Sequence, residues 1–182
     1  MSRCSPTGIL IDWPVSTGAP AMEAPVIVNR WHPETPMYAS VKPGSEFRIE
    51  TFPWDGGQIG NNDSANDIRD CNLLPCHHLS GAVAIEGAEP GDILVVDILD
   101  IGPCDEEDPN GISGQGWGYT GVFPKENGGG FLVDQFPDAY KVIGDFRGGV
   151  ATSRHIPGVS YTGIVHPGLM GTAPSAELLA KW

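Results

Sequence analysis

The sequence predicts a mainly β fold of sandwich-like or barrel-like antiparallel sheets with few short helices. Two observations lead there. With 25 Gly and 17 Pro in 182 residues, turn signals stand close together along the chain. The apolar residues come in short runs and period-two alternations, the pattern of strands rather than of long helices.

Residues 1–24 are rich in Pro, Ala and Gly and weakly patterned, which reads as an extended arm; residues 25–182 read as the β part. Pro25-Val26-Ile27-Val28 is a short strand. Phe47-Arg48-Ile49-Glu50-Thr51-Phe52 alternates apolar and polar, a half-buried strand. Ala82-Val83-Ala84-Ile85 is a third strand, and Glu89-Pro90-Gly91-Asp92 a turn. Ile93 to Ile101 is the most apolar stretch and is predicted to be a central strand. Residues 102–130 read as loop, with an acidic turn at 105–111 and a surface loop over 103–114. Phe131-Leu132-Val133 and Tyr140-Lys141-Val142-Ile143 read as two more strands. Only Ser175–Lys181 has a helical pattern, with Ser175 as its cap. The chain stops at Trp182 inside that pattern, so the fold is expected to be incomplete without a C-terminal half.

The formal net charge is −13. Such a chain repels nucleic-acid phosphates and anionic membrane surfaces, so neither is expected as a partner. A neutral small substrate suits it better. The apolar run Gly8–Ile11 ends at Asp12, too short for a signal-peptide core, and no run approaches a membrane span. A cytoplasmic protein is expected. Cys4, Cys71, Cys76 and Cys104 form no Cys-x-x-Cys pair and read as free thiols.

Asn61-Asn62-Asp63-Ser64-Ala65-Asn66-Asp67-Ile68-Arg69-Asp70 is the densest polar cluster. It suits either a metal or water site or a hydrogen-bonded turn of the Asx type. His77-His78 are adjacent, so on a strand only one of them faces a given pocket. Glu86 ends an apolar strand; if buried, its pKa would rise and poise it for proton transfer. Trp54 and His166 are further candidates, with packing as the bland alternative for each. No Gly-x-Ser-x-Gly or Ser-x-x-Lys motif is present, which disfavours a serine hydrolase.

From Asn29 to Leu179, about four-fifths of the chain, the sequence resembles the acetamidase/formamidase family in its formamidase branch. The resemblance rests on Asn29-Arg30-Trp31-His32-Pro33, Val41-Lys42-Pro43-Gly44, Gly56-Gly57-Gln58-Ile59, the cluster Asn61–Asp70, His77 with Leu79-Ser80-Gly81, and Glu86–Asp92. It continues through Val95-Val96-Asp97-Ile98, Gly118-Tyr119-Thr120-Gly121, Lys125–Phe131, Thr152–Gly158 and His166–Gly171. It implies cleavage of formamide, and of other short aliphatic amides, to formate and ammonia by metal-assisted attack of water. Carried over, it makes Glu86, His77 and Asp63 catalytic; Trp54 and His166 are the expected substrate contacts. Asp63 and His77 become ligands of a divalent metal, with zinc expected. The resemblance also implies a mainly β homo-oligomer. Family members are longer, so a second chain supplying the C-terminal half is the other expected partner. The alternative reading is an inactive fragment or assembly subunit; a third is a protein that binds small amides without cleaving them.

Overall fold

The structure, a computed structural model, describes residues 9–11, 27–102, 116–162 and 166–182. Two compact units share them. One draws on Met1–Gly57, Leu74–Val96 and Leu169–Trp182, the other on Gln58–Leu73 and Asp97–Gly168.

The first unit is made of short paired strands. β1 (Ile9–Ile11) runs parallel to β4 (Arg48–Ile49), β2 (Ile27–Val28) antiparallel to β5 (Leu79–Ser80), and β3 (Ala39–Val41) parallel to β6 (Val83–Ile85). The predicted alternation over 47–52 is not followed. Arg48 and Ile49 are exposed, whereas Glu50 is buried and held by Arg48 at 2.8 Å. Glu89–Asp92 forms the expected turn, Asp92 donating its N–H to the Glu89 carbonyl at 3.1 Å. The helix expected at the end is α2 (Ala176–Leu179), and Ser175 caps it by accepting the Leu178 N–H at 3.1 Å.

The second unit is built on one antiparallel sheet of β7 (Gly116–Val122), β8 (Tyr140–Arg147), β9 (Val150–Thr152) and β10 (Ser160–Tyr161), ordered β10-β9-β8-β7. Alternate residues of β8 share a face, so Lys141, Ile143 and Asp145 point one way. Opposite them in register stand Gly121, Tyr119 and Trp117 of β7. This face carries the segment with the one helix among the unit's described residues, α1 (Asn66–Arg69). Ile68 at its centre is 0% exposed and clusters with Ile59 and Cys71, against Tyr119 and Phe123. Gly121 makes room for it, since a Cβ there would lie 2.6 Å from the Ile68 Cδ1. Asn127 closes the far end of α1, donating from Nδ2 to the carbonyls of Arg69 (2.8 Å) and Cys71 (2.9 Å). Asn127→Ala orphans both acceptors and is expected to cost about 1–2 kcal/mol in urea unfolding. An unchanged midpoint would show that water replaces the amide without loss.

Mainly β architecture with two short described helices is therefore what the chain adopts. Two predicted strands are corrected. Ile93–Ile101 joins no ladder among the described residues, because no strand lies beside it. Phe131–Val133 lies in a run of turns, with Phe131 fully exposed. Conversely β7, read as loop because of its glycines, is a strand paired to β8 over its whole length. Cys71 and Cys76 are free thiols as expected. Cys4, Cys104, the acidic turn at 105–111 and the arm apart from β1 lie outside the described residues. Among the described residues, no helix is long and apolar enough to cross a membrane.

Candidate active site

The polar cluster of the second unit is built on the hydrogen-bonded turns that its composition allowed. Most of it is a hydrogen-bonded scaffold. Asn62 Oδ1 accepts the Ser64 N–H at 3.0 Å, and Ser64 Oγ accepts the Asn66 N–H at 3.2 Å. Asp67 Oδ2 accepts the Gly60 N–H at 3.0 Å. The scaffold is bolted to β8 by Lys141, whose side chain is 0% exposed. Its ammonium donates to Asp67 Oδ2 (2.6 Å), Asn62 Oδ1 (3.1 Å) and the Gly60 carbonyl (3.1 Å). All three protons of the buried cation are thereby used. Burial pushes the Asp67 carboxyl up, but the hydrogen bonds from Lys141 and Gly60, the Lys141 charge and the Asn62 amide together hold it below its ordinary value.

Asp63 is the part the scaffold leaves free. Its side chain is 70% exposed and faces Arg154 (Nη1 at 3.6 Å) and His155 (Nε2 at 3.3 Å). Carrying the β8–β9 register two residues on would place Arg154 opposite Ile143. Side chains replace the ladder there instead. Ser153 Oγ donates to the Ile143 carbonyl at 2.7 Å, and the Ile143 N–H donates to His155 Nδ1 at 3.0 Å. Because Nδ1 accepts that bond, the neutral ring carries its proton on Nε2, directed at Asp63. Arg154 is gripped by Asp145 through Nε at 3.1 Å and Nη2, and donates to Asn61 Oδ1 at 2.9 Å. The guanidinium hydrogen bonds hold the Asp145 carboxyl below its usual range.

In the first unit, His77 is exposed and its ring lies 5.1 Å from that of Trp54, so these two candidates do meet. His78 is buried. Its backbone N–H and Nδ1 both lie 3.0 Å from the Trp54 carbonyl, and its ring covers Gly56, where a Cβ would lie 2.6 Å from it. It is a packing residue, as its neighbour's better claim implied. Glu86 is held at the end of β6 by its N–H to the Val41 carbonyl at 2.9 Å. The burial that would have tuned it is absent, since the residue is exposed. His166, in the second unit, accepts the Gly168 N–H on Nδ1 at 3.0 Å.

A protein zinc site draws on at least three side chains. Among the described residues no three His, Cys, Asp or Glu side chains gather to hold a metal. The described residues alone therefore do not make the expected centre.

A family model described as the acetamidase/formamidase family matches residues 15–182. The chain belongs to the acetamidase/formamidase family. It is 68% identical over 155 residues to an acetamidase of Mycolicibacterium smegmatis, covering 85% of this chain and 38% of that protein. A formamidase of Methylophilus methylotrophus is 60% identical over 156 residues, covering 86% and 36%. Among solved structures, a gamma lactamase from Delftia acidovorans superimposes with a TM-score of 0.86 at 48% identity, over 96% of this chain and 40% of that one. The chain thus spans about two-fifths of the length of these relatives and corresponds to the N-terminal part of the family.

Lys141 and Asp145 are not among the sequence candidates, and Arg154-His155 reads from the sequence as packing. The family motif containing Arg154-His155 was visible, but the partner of each lies far away in sequence, Asn61 and Asp63 among them.

Proposed function

We propose that this chain is the N-terminal part of a hydrolase of short aliphatic amides, with formamide and acetamide as substrates. The observation that carries the reading is the high identity to both an acetamidase and a formamidase. The two substrates differ by one methyl group, which a pocket discriminates by only about 1–3 kcal/mol.

In the reaction a water oxygen attacks the amide carbonyl carbon, the C–N bond breaks, and a carboxylic acid and ammonia form, the acid then passing its proton to the ammonia to leave carboxylate and ammonium. Glu86 takes a proton from the attacking water and returns it to the departing nitrogen. Its backbone is fixed by β6, and its carboxylate has no partner among the described residues. Within the first unit, His77 and Trp54 form a surface for the small neutral substrate; within the second, Asp63 stands with the His155 Nε2–H and Arg154 beside it as a charged group for the reaction. A divalent metal, if the completed enzyme holds one, draws further ligands from the length that this chain does not span. None of these steps runs through it. Homo-oligomerisation remains part of the proposal.

Glu86→Gln tests the assignment in the chain co-produced with the remaining length of a relative. Ammonia release is expected to fall at least 100-fold with unchanged circular dichroism. Retained turnover would remove Glu86 from the proton path. A second reading, that the chain alone is an inactive assembly piece, is favoured by its two-fifths coverage of the relatives. It predicts no ammonia from the 182 residues alone.

A further inference from the structure

β9 ends at Thr152, which pairs with Asp145. Two residues back along β8 lies Ile143, 0% exposed, with its N–H and carbonyl on the side that β9 has left. Buried backbone groups of this kind need partners. Ser153 and His155 supply both in a closed ring of hydrogen bonds. The Ile143 N–H donates to His155 Nδ1 at 3.0 Å, the His155 backbone N–H donates to Ser153 Oγ at 3.2 Å, and Ser153 Oγ donates to the Ile143 carbonyl at 2.7 Å. The hydroxyl has a single proton, so its use on the carbonyl leaves its oxygen to accept from His155. Each of the three residues gives one proton and receives one.

We infer that Ser153 is a positioning residue, which holds the His155 ring so that its Nε2–H faces Asp63. By occupying the Ile143 carbonyl, the hydroxyl leaves the Ile143 N–H as the backbone partner of Nδ1. A ring with its proton on Nδ1 would set N–H against N–H there, so only a bare Nδ1 fits. Nε2 then bears the proton and lies 3.3 Å from Asp63 Oδ1. Without the hydroxyl the Ile143 carbonyl loses its donor, and a ring turned over to the Nδ1–H form satisfies it. That form presents a bare Nε2 to the Asp63 carboxylate, acceptor against acceptor, and Asp63 loses its partner. Ser153 therefore acts through His155 and Asp63 rather than by touching substrate. Its part in turnover rests on the reading of Asp63 as a group of the amide-hydrolysing site; the state of the ring does not. A serine that only closed the end of β9 would affect stability and leave the ring proton where it is.

The test reads the ring and the reaction separately. Long-range proton–nitrogen NMR spectra of the isotope-labelled chain, taken above the usual histidine pKa, tell a protonated ring nitrogen from a bare one. The His155 signals are those that vanish in His155→Gln. The native chain is expected to show one form, with the proton on Nε2. Ser153→Ala should add the Nδ1–H form, and Ser153→Thr, which keeps the hydroxyl, should return to one form. Ser153→Cys, whose thiol is a weak donor, takes the place of Ser153→Ala if that variant does not fold. In the chain co-produced with the remaining length of the Mycolicibacterium smegmatis acetamidase, Ser153→Ala should lower kcat for acetamide about tenfold or more, with KM changed less than about twofold. Ser153→Thr should recover the native kcat. The inference is overturned if the native ring carries its proton on Nδ1, if Ser153→Ala leaves either the ring or kcat as it was, or if Ser153→Thr fails to restore both. A completed protein that cleaves no amide, with the ring behaving as stated, would overturn the amide reading and Ser153's part in turnover but not the assignment of the ring.

Discussion

Lys141→Met should destabilise the second unit by about 3–5 kcal/mol, the usual cost of removing one member of a buried ion pair. The mutation keeps the apolar stem but leaves the Asp67 carboxylate, the Asn62 amide oxygen and the Gly60 carbonyl without the cation that satisfies them. The polar scaffold would lose its attachment to β8, and with it the placement of Asp63. Urea unfolding at pH 7 measures the loss. The double variant Lys141→Met/Asp67→Asn should lose less than the sum of the two single changes, because both act on one interaction. The pH dependence follows from the same pair. Asp67 titrates below its ordinary value in the folded chain, so its contribution is present above the unfolded carboxylate pKa. It is lost as pH falls through the folded value, in the acid range below about pH 4. The native chain should show that acid loss, and Lys141→Met should show much less of it. A midpoint shift under about 1 kcal/mol would mean that the buried ammonium is not what holds the scaffold.

Asp63→Asn should act in the opposite way, on catalysis and not on stability. The side chain is largely exposed and its ion pairs with Arg154 and His155 are solvent-screened, so the thermal midpoint should stay within about 2 °C. Asn keeps the shape but removes the charge that the His155 Nε2–H and Arg154 both face. In the chain completed with the remaining length of a relative, kcat/KM for acetamide should fall by about 100-fold or more. His155→Ala should give a comparable loss, and the double variant little more than either, if the two groups act as one unit. Full activity of Asp63→Asn would reduce the cluster to a surface ion-pair network.

The sequence shows the strands at Val83–Ile85 and at the start of β8, where apolar runs are bounded by Gly or Pro. It hides β7, because Gly116, Gly118 and Gly121 look like loop residues until a partner strand is present. Gly121 in particular is explained only by Ile68, more than fifty positions away. Lys141 carries no signal of burial in the sequence; three acceptors bring it inside, and none of them is adjacent in sequence. The Asn61–Asp70 cluster was ambiguous because Asx turns and catalytic carboxylates use the same residues. The structure separates them by partner: Asn62, Ser64 and Asp67 are committed to the scaffold, while Asp63 faces Arg154 and His155. The failed strand at Ile93–Ile101 has another origin. Its pattern is that of a buried strand, and its neighbours are absent from the described residues.

Ammonia release decides whether this chain forms part of an amide-hydrolysing fold. The 182-residue chain, alone and co-produced with the remaining length of the Mycolicibacterium smegmatis acetamidase, would be incubated with formamide and with acetamide. The account predicts stoichiometric ammonia and carboxylate from both amides with the completed protein. A completed, folded protein that releases no ammonia from either amide would contradict it.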